Sequence, residues 1–444
     1  MIEMLRMALR GLLLVLAIFL LPAGGYAASA EKAASISYRV VQGDNLYTLA
    51  ERYFSKTGDY IVVQRLNKVA DPRRLRIGSL LTIPRPLLRQ VPVEAVVQSF
   101  RGTVFIGPAE NRQPAAIGMK VHEGDLIQTS QKSFITLRLP DDSHVALPSQ
   151  TTLRVRRMRR TLLAGDVERS FRIERGRANV TVTPQDNPYS DFRISTPVAV
   201  SAVRGTRFRM RYDPDGDRAT SEVLEGQVMF SAERSNQEQL LPAGFGTANG
   251  LDNPISLLPA PELLAPGRIQ DDEDLRFALK PLSGAVGYNV QIAQDAGFLD
   301  VLDETSTSST EAVLRLLADG NYFVRLTGID TNGLEGFPAT YAFYRRLNRL
   351  TASLEEKRVG RYHQYLFRWN APDAPDAQFR FQLSAKPDGS APLIDEIGLT
   401  GTSFVVTDLP AGMYYWRVKT VDMTGGRIHE KWTPFQELRI GAAP

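Results

Sequence analysis

The sequence predicts a multidomain, mainly β protein, with a small β-α-α-β module, a long all-β region and two β-sandwiches. Three observations predict it. At 444 residues, with 43% hydrophobic and 23% charged, the chain is too long for a single hydrophobic core. Helix-spaced apolar residues fill two short windows after the leader, whereas most later segments are short alternating runs bounded by turn residues. The last third of the chain also matches itself, Leu317 to Leu409, without gaps.

The leader comes first. Arg6 and Arg10 precede the apolar run "LLLVLAIFLL" (12–21), and small residues follow through Ala30. This is a signal-peptide pattern over residues 1–30, with cleavage after Ala27 or Ala30, and it places the mature chain in the periplasm. Left uncleaved, the same segment becomes an inner-membrane anchor. With no cysteine, the chain has no disulfide, lipidated N-terminus or thiolate metal site, so each domain must stand on its own core. The net charge of +4 is unevenly spread: residues 36–90 carry +6 and residues 251–444 carry −6. A basic exported module suits an anionic wall or lipid surface, and export argues against nucleic acid as a partner.

In the basic module, Leu46, Leu49, Ala50, Tyr53 and Phe54 form one helical face, with Asp44 or Asn45 as its cap. A second helix is expected from an Asp59 cap, with Val62, Val63 and Leu66 facing inward. Extended runs at 38–41 and 80–84 flank the pair, giving strand, helix, helix, strand. With Tyr38, Val40, Gly43, Asp44, Leu46, Ala50, Asn67, Gly78, Leu80, Ile83 and Pro84 in place, residues 36–86 resemble the LysM family of glycan-binding modules. The resemblance implies binding of N-acetylglucosamine-containing glycan, chiefly peptidoglycan, in a shallow groove between two loops. The residues it points to are Gly43, Asp44, Asn45 and Leu46 in one loop, and Pro72, Arg73, Leu75, Arg76 and Ile77 in the other. Freed backbone groups would pair with N-acetyl amides, and Leu46, Leu75 and Ile77 would cover the apolar sugar face. Arg73, Arg74 and Arg76 would meet stem-peptide carboxylates.

From 93 to 250 the chain reads as β throughout. The landmarks "RGTV" (101–104), "VHEGDLIQT" (121–129), "RIERGRANV" (172–180), "TPVAVSAVRGTRF" (196–208) and "VLEGQV" (223–228) resemble the FecR domain. That family is known from periplasmic sensors of iron-citrate signalling. Gly176, Gly205 and Gly226 are expected in turns or bulges, and Arg204 is expected to pair with Glu225 inside the sheet. The run "RVRRMRR" (154–160) reads as a solvated strand edge, with anion docking as the alternative. "DPDGD" (213–217) lacks the glycine and glutamate of a calcium loop, so it reads as a hairpin turn.

Residues 251–268, with "LPAPELLAPG", read as a proline-rich linker. The repeat then matches Leu317, Gly320, Tyr322, Arg325, Asp330 and Gly333 with Leu409, Gly412, Tyr414, Arg417, Asp422 and Gly425. Phe277 likewise matches Trp369, and "YNVQI" (288–292) matches "FRFQL" (379–383). Residues 269–347 and 360–442 resemble fibronectin type III or immunoglobulin-like sandwiches, with Tyr414, Trp416, Val418 and Val421 packing between sheets.

No nucleophile elbow, phosphate loop or metal-spaced histidine pair occurs, so no enzyme activity, cofactor or metal is expected. The combined resemblances imply a wall-held β scaffold for an unknown envelope protein partner. The alternatives are a FecR-type envelope sensor and an accessory subunit of a wall hydrolase or polysaccharide exporter.

Overall fold

The structure, a computed structural model, describes residues 35–184, 187, 190–232, 238–315, 317–424 and 426–441. The expected signal peptide lies outside them, as does Gly425 of the repeat. The chain folds into two compact units. The first contains residues up to Glu94 with Arg156–Ser170 and the described part of Gln185–Phe192; the second contains the rest. Among the described residues no helix is long and apolar enough to cross a membrane.

In the first unit, strand Ser35–Arg39 pairs antiparallel with Leu80–Pro84, and helices Leu46–Tyr53 and Tyr60–Leu66 lie between them in sequence. Asn45, not Asp44, caps the first helix: its side chain accepts from the Tyr47 and Thr48 amides, while Thr48 returns a bond to the Asn45 amide. Asp59 does not cap the second helix through its side chain, because it already sits in the 3-10 turn Thr57–Asp59. Only Val63 of the second helix enters the core; Val62 and Leu66 are 47% and 51% exposed. Val62 and Leu66, four residues apart, share a face turned to solvent, whereas Val63 lies on the face that also carries Tyr60 against the core.

This core is not built from residues 36–86 alone. Leu163 and Ala164, from the turn between strands Thr152–Thr161 and Val167–Thr181, pack against it. Arg85 reaches the buried Asp166 at 2.6 Å, and Thr161 donates to the same carboxylate at 3.0 Å. Arg89 donates to the carbonyls of Phe54 and Glu51.

In the second unit, a long antiparallel sheet follows the order Ala95–Arg101, Phe134–Arg138, His144–Leu147, Val167–Thr181 (through its end), Arg207–Asp213, Arg218–Glu225, Phe245–Ala248. Strands Ala199–Val203, Gln227–Ala232 and Glu238–Pro242 form another antiparallel set. Alternation places Phe208, Met210, Val223, Val228 and Phe230 in the core. Gly176, Gly205 and Gly226 all have positive φ. A Cβ on Gly226 would stand 2.8 Å from the Gly205 carbonyl oxygen, so this corner admits only glycine. The 213–217 segment is the expected hairpin turn, joining Arg207–Asp213 to Arg218–Glu225.

Two expectations for this region need correction. Glu225 lies on the surface and pairs with Arg207 at 2.9 Å, and Arg204 is exposed. The buried pair is instead Arg209 with Glu222 at 3.6 Å, on the inward-facing positions of the same hairpin. The arginine-rich strand is not an edge: residues 152–154 pair with 126–128, and residues 159–161 pair with 90–92. Arg154 meets Glu174 and Arg157 meets Glu168.

The proline-rich segment is docked instead of serving as a free linker. Leu263 is buried in the first sandwich core, the Leu264 amide donates to Ala278, and the Leu258 carbonyl accepts from Phe337. Proline removes amide donors but leaves carbonyls and leucines able to join a sheet edge.

The first sandwich pairs Leu275–Ala278 with Glu311–Leu314, over the sheet Val301–Thr307, Gly287–Ala293, Gly320–Ile329, Ala339–Arg345. The second has Thr351–Val359, Tyr362–Asn370 and Ser403–Thr407 over Ile394–Leu399, Gln378–Ser384, Gly412–Thr424, Arg427–Trp432, with Gln436–Ile440 added. It therefore begins before residue 360. Tyr414, Trp416 and Val418 point inward as expected, but Thr420 continues the series and Val421 falls on the other face, in step with strand alternation. Tyr322 and Tyr414 make the same bond, each hydroxyl donating to the carbonyl four residues earlier, Ala318 and Pro410.

Candidate glycan-binding site

Each of the two predicted loops is shaped by its own short-range bonds. Gly43 turns the chain at φ 91°, and the Asp44 carboxylate accepts from the Val41 amide at 2.9 Å and the Tyr38 hydroxyl at 2.7 Å. Burial, followed by this bond to Asp44, pushes the Tyr38 hydroxyl up to about 12, so it remains a donor at any physiological pH. In the second loop the Asp71 side chain accepts from the Arg73 amide, and Ser79 donates to the Arg76 carbonyl.

The loops are also bonded to each other. The Leu46 amide donates to the Pro72 carbonyl at 2.8 Å, and the Gly78 amide donates to Val40. The structure thus brings Gly43, Asp44, Asn45 and Leu46 together with Pro72, Arg73, Leu75, Arg76 and Ile77. It does not give them all the same task. Leu46 is fully buried in the module's core and Leu75 packs against that core. Leu46 cannot cover a sugar face, because the first helix needs an apolar anchor at its start. Asp44 and Asn45 are taken up by turn and cap bonds. Gly43, Arg73, Arg74, Arg76 and Ile77 are exposed.

Sequence reasoning missed two exposed side chains nearby. Val41 is 53% exposed, one residue after the buried Val40; the strand alternation in "YRVV" carried that signal. Tyr47, the first residue after Leu46, is exposed and holds its ring 4.6 Å from that of Tyr60. The arrangement offers backbone groups, an apolar surface at Ile77 and Val41, and three arginine side chains without deep enclosure. Among the described residues no cluster of three metal-ligating side chains occurs.

Two known families match parts of the chain. The LysM domain matches residues 38–84 and the FecR protein family matches residues 125–229. The chain contains a LysM domain and a FecR domain. LysM domains bind N-acetylglucosamine-containing glycans such as peptidoglycan, both domains are associated with the cell envelope, and both serve binding or regulation. No curated protein matches the chain. Among solved structures, a protein assigned as an anti-sigma factor from Parabacteroides distasonis is 20% identical over 29% of this chain, with a TM-score of 0.24; the chain spans 57% of that structure's length. A two-domain fibronectin type III segment of chicken tenascin is 15% identical, with 42% of this chain and 100% of that one covered and a TM-score of 0.20. Domains FN1–FN3 of chicken CNTN1 are 11% identical, with 65% and 97% covered and a TM-score of 0.21.

Proposed function

We propose that this is a non-catalytic periplasmic protein whose LysM domain holds it on peptidoglycan, through the exposed part of the joined loops. The FecR domain and the two sandwiches are then presented as a β scaffold to an envelope protein partner. The observation that supports the reading is the pair of loops tied by the Leu46 to Pro72 bond, with Gly43, Arg73, Arg76 and Ile77 open to solvent. A site this shallow binds weakly, at about 0.1 mM, unless repeated glycan units add avidity.

The test is sedimentation of the mature chain with purified sacculi. Wild type is expected in the pellet and to be released by soluble N-acetylglucosamine oligomers. Ile77→Asp with Arg76→Glu is expected to lower retention about tenfold while the thermal midpoint is unchanged. Equal retention of the variant, or release by salt but not by the oligomer, overturns the reading. A FecR-type envelope regulator is the second reading, favoured by the match over 125–229. It requires the leader to persist as an anchor, so a processed N-terminus on the mature protein would count against it.

A further inference from the structure

A cavity of about 390 Å³ lies where the FecR-like strands meet the first sandwich, and four arginines line it: Arg177, Arg207, Arg209 and Arg325. Three of them are matched by acceptors. Arg177 pairs with Glu304 at 2.6 Å and with Glu335. Arg209 faces Glu335 at 3.5 Å and Glu222 at 3.6 Å, and donates to the Gly336 carbonyl. Arg207 pairs with Glu225 at 2.9 Å; these two side chains, 43% and 66% exposed, mark the solvent side.

Arg325 is different. Its guanidinium lies over the Phe298 ring, 3.8 Å from the centroid, and it alone of the four makes neither an ion pair nor a hydrogen bond to a described residue; the Nε atom of each of the four is buried without an acceptor. No carboxylate among the described residues stands within ion-pair distance of it. Asp295, which attracts it weakly, is bonded to the Leu299 and Asp300 amides. Burial, then repulsion from Arg207 and Arg209, pushes Arg325 down to about 10, which leaves it a cation at neutral pH. A cation held among other cations, in a space large enough for a small molecule, calls for an added anion. Phe208, Leu299, Val301 and Pro338 supply the apolar part of the lining, and His144, Asn179, Thr181 and Thr327 add polar groups.

We propose that this cavity binds a small molecule carrying one carboxylate or phosphate group, with its acid oxygens on Arg325 and its apolar part against Phe298 and Leu299. A planar guanidinium fixed on a ring presents its donors in the geometry that either oxyanion accepts. The site is separate from the glycan cleft, and its test uses a separate readout.

Calorimetry on the full mature chain distinguishes the sources with three probes of one shape: phenylacetate, phenyl phosphate and the uncharged 2-phenylethanol. One or both anions are expected to bind with 1:1 stoichiometry, the stronger naming the class, while the alcohol does not. Arg325→Gln is expected to weaken anion binding about 10- to 100-fold with the thermal midpoint kept, since it removes a charge that has no partner. If that variant does not fold, Arg325→Lys supplies the readout, because it keeps the charge but loses the fork and is expected to bind several-fold more weakly. Absence of anion binding to wild type, equal binding of the alcohol, or unchanged affinity in the folded variant overturns the proposal.

Discussion

Arg325 and Arg417 occupy the same place in two copies of one repeat, and their surroundings differ in the rings they lie on and in whether an acceptor meets them. Arg417 lies over Trp432 at 3.9 Å and Phe435 at 4.3 Å, and its Nε donates to Gln382 at 2.9 Å. Gln382 in turn donates to Asp395. In the first copy Gln291 faces Arg325 across the strand pair and donates to Glu304 at 2.6 Å, but nothing accepts from Arg325. Glu304 instead serves Arg177, a residue of the FecR-like sheet. At this position the second sandwich keeps its acceptor within its own sheet, whereas the first gives Glu304 to the FecR-like sheet. Equal sequence positions therefore do not imply equal roles once one copy has a partner on that face.

The largest test of this contrast is Arg177→Met. It removes the nearest cation from both Glu304 and Glu335, leaving the first with Gln291 and the second with Thr327 and the more distant Arg209, so unfolding stability is expected to fall by about 3–5 kcal/mol in urea titrations. The triple change that adds Glu304→Gln and Glu335→Gln should recover much of the loss; failure to do so would mean that the junction depends on packing and not on charge pairing.

A pH effect comes next. Burial, with repulsion from Glu335 and against the pull of Arg209, pushes Glu222 from its ordinary 4.5 up to about 7. The folded protein then binds more protons than the unfolded chain between these values, so stability should fall as pH rises through that window and level off above it. The slope is at most about 1.4 kcal/mol per pH unit. Glu222→Gln is expected to flatten urea midpoints measured from pH 5 to 8, and an unchanged slope would assign the effect to another group.

Smaller still is the difference between Arg417→Gln and Arg325→Gln. The first loses a ring contact and a hydrogen bond, about 1–2 kcal/mol, while the second is expected to cost nothing or to stabilise. Equal losses would mean that the two arginines are equivalent after all. Tyr322→Phe and Tyr414→Phe should each cost about 1 kcal/mol, and matching shifts in thermal midpoint would show that the corner bond is independent of the neighbour.

Much of this fold was legible. Period-two and helix-period patterns place the Leu80–Pro84 strand, the first helix and the inward series Tyr414, Trp416, Val418, because each face there is buried by one kind of neighbour. What escaped depends on long-range partners. Leu163 gives no local sign that it joins a core built from residues 36–88, and Leu263 reads as linker because prolines flank it while a sheet edge awaits it. At the candidate site the loops were legible but the division of labour was not. Leu46 and Ile77 are both aliphatic loop residues, and only packing shows one buried and the other 64% exposed. Arg204 and Arg209 are both arginines of one strand-turn motif, and only the direction of each side chain separates a surface charge from a buried one.

The turn residues Leu163 and Ala164 pack on the LysM core and so tie the stability of two distant stretches of sequence together. The chain on either side of them continues without interruption as strands Thr152–Thr161 and Val167–Thr181, which lie side by side in one ladder. Opening the LysM core therefore also uncovers Leu163 and Ala164, so it costs the burial of the hairpin tip as well as that of the module itself. Residues 36–88 and the tip at 163–164 are expected to open as one cooperative piece, with hydrogen-exchange protection at Leu49 and Leu163 lost together.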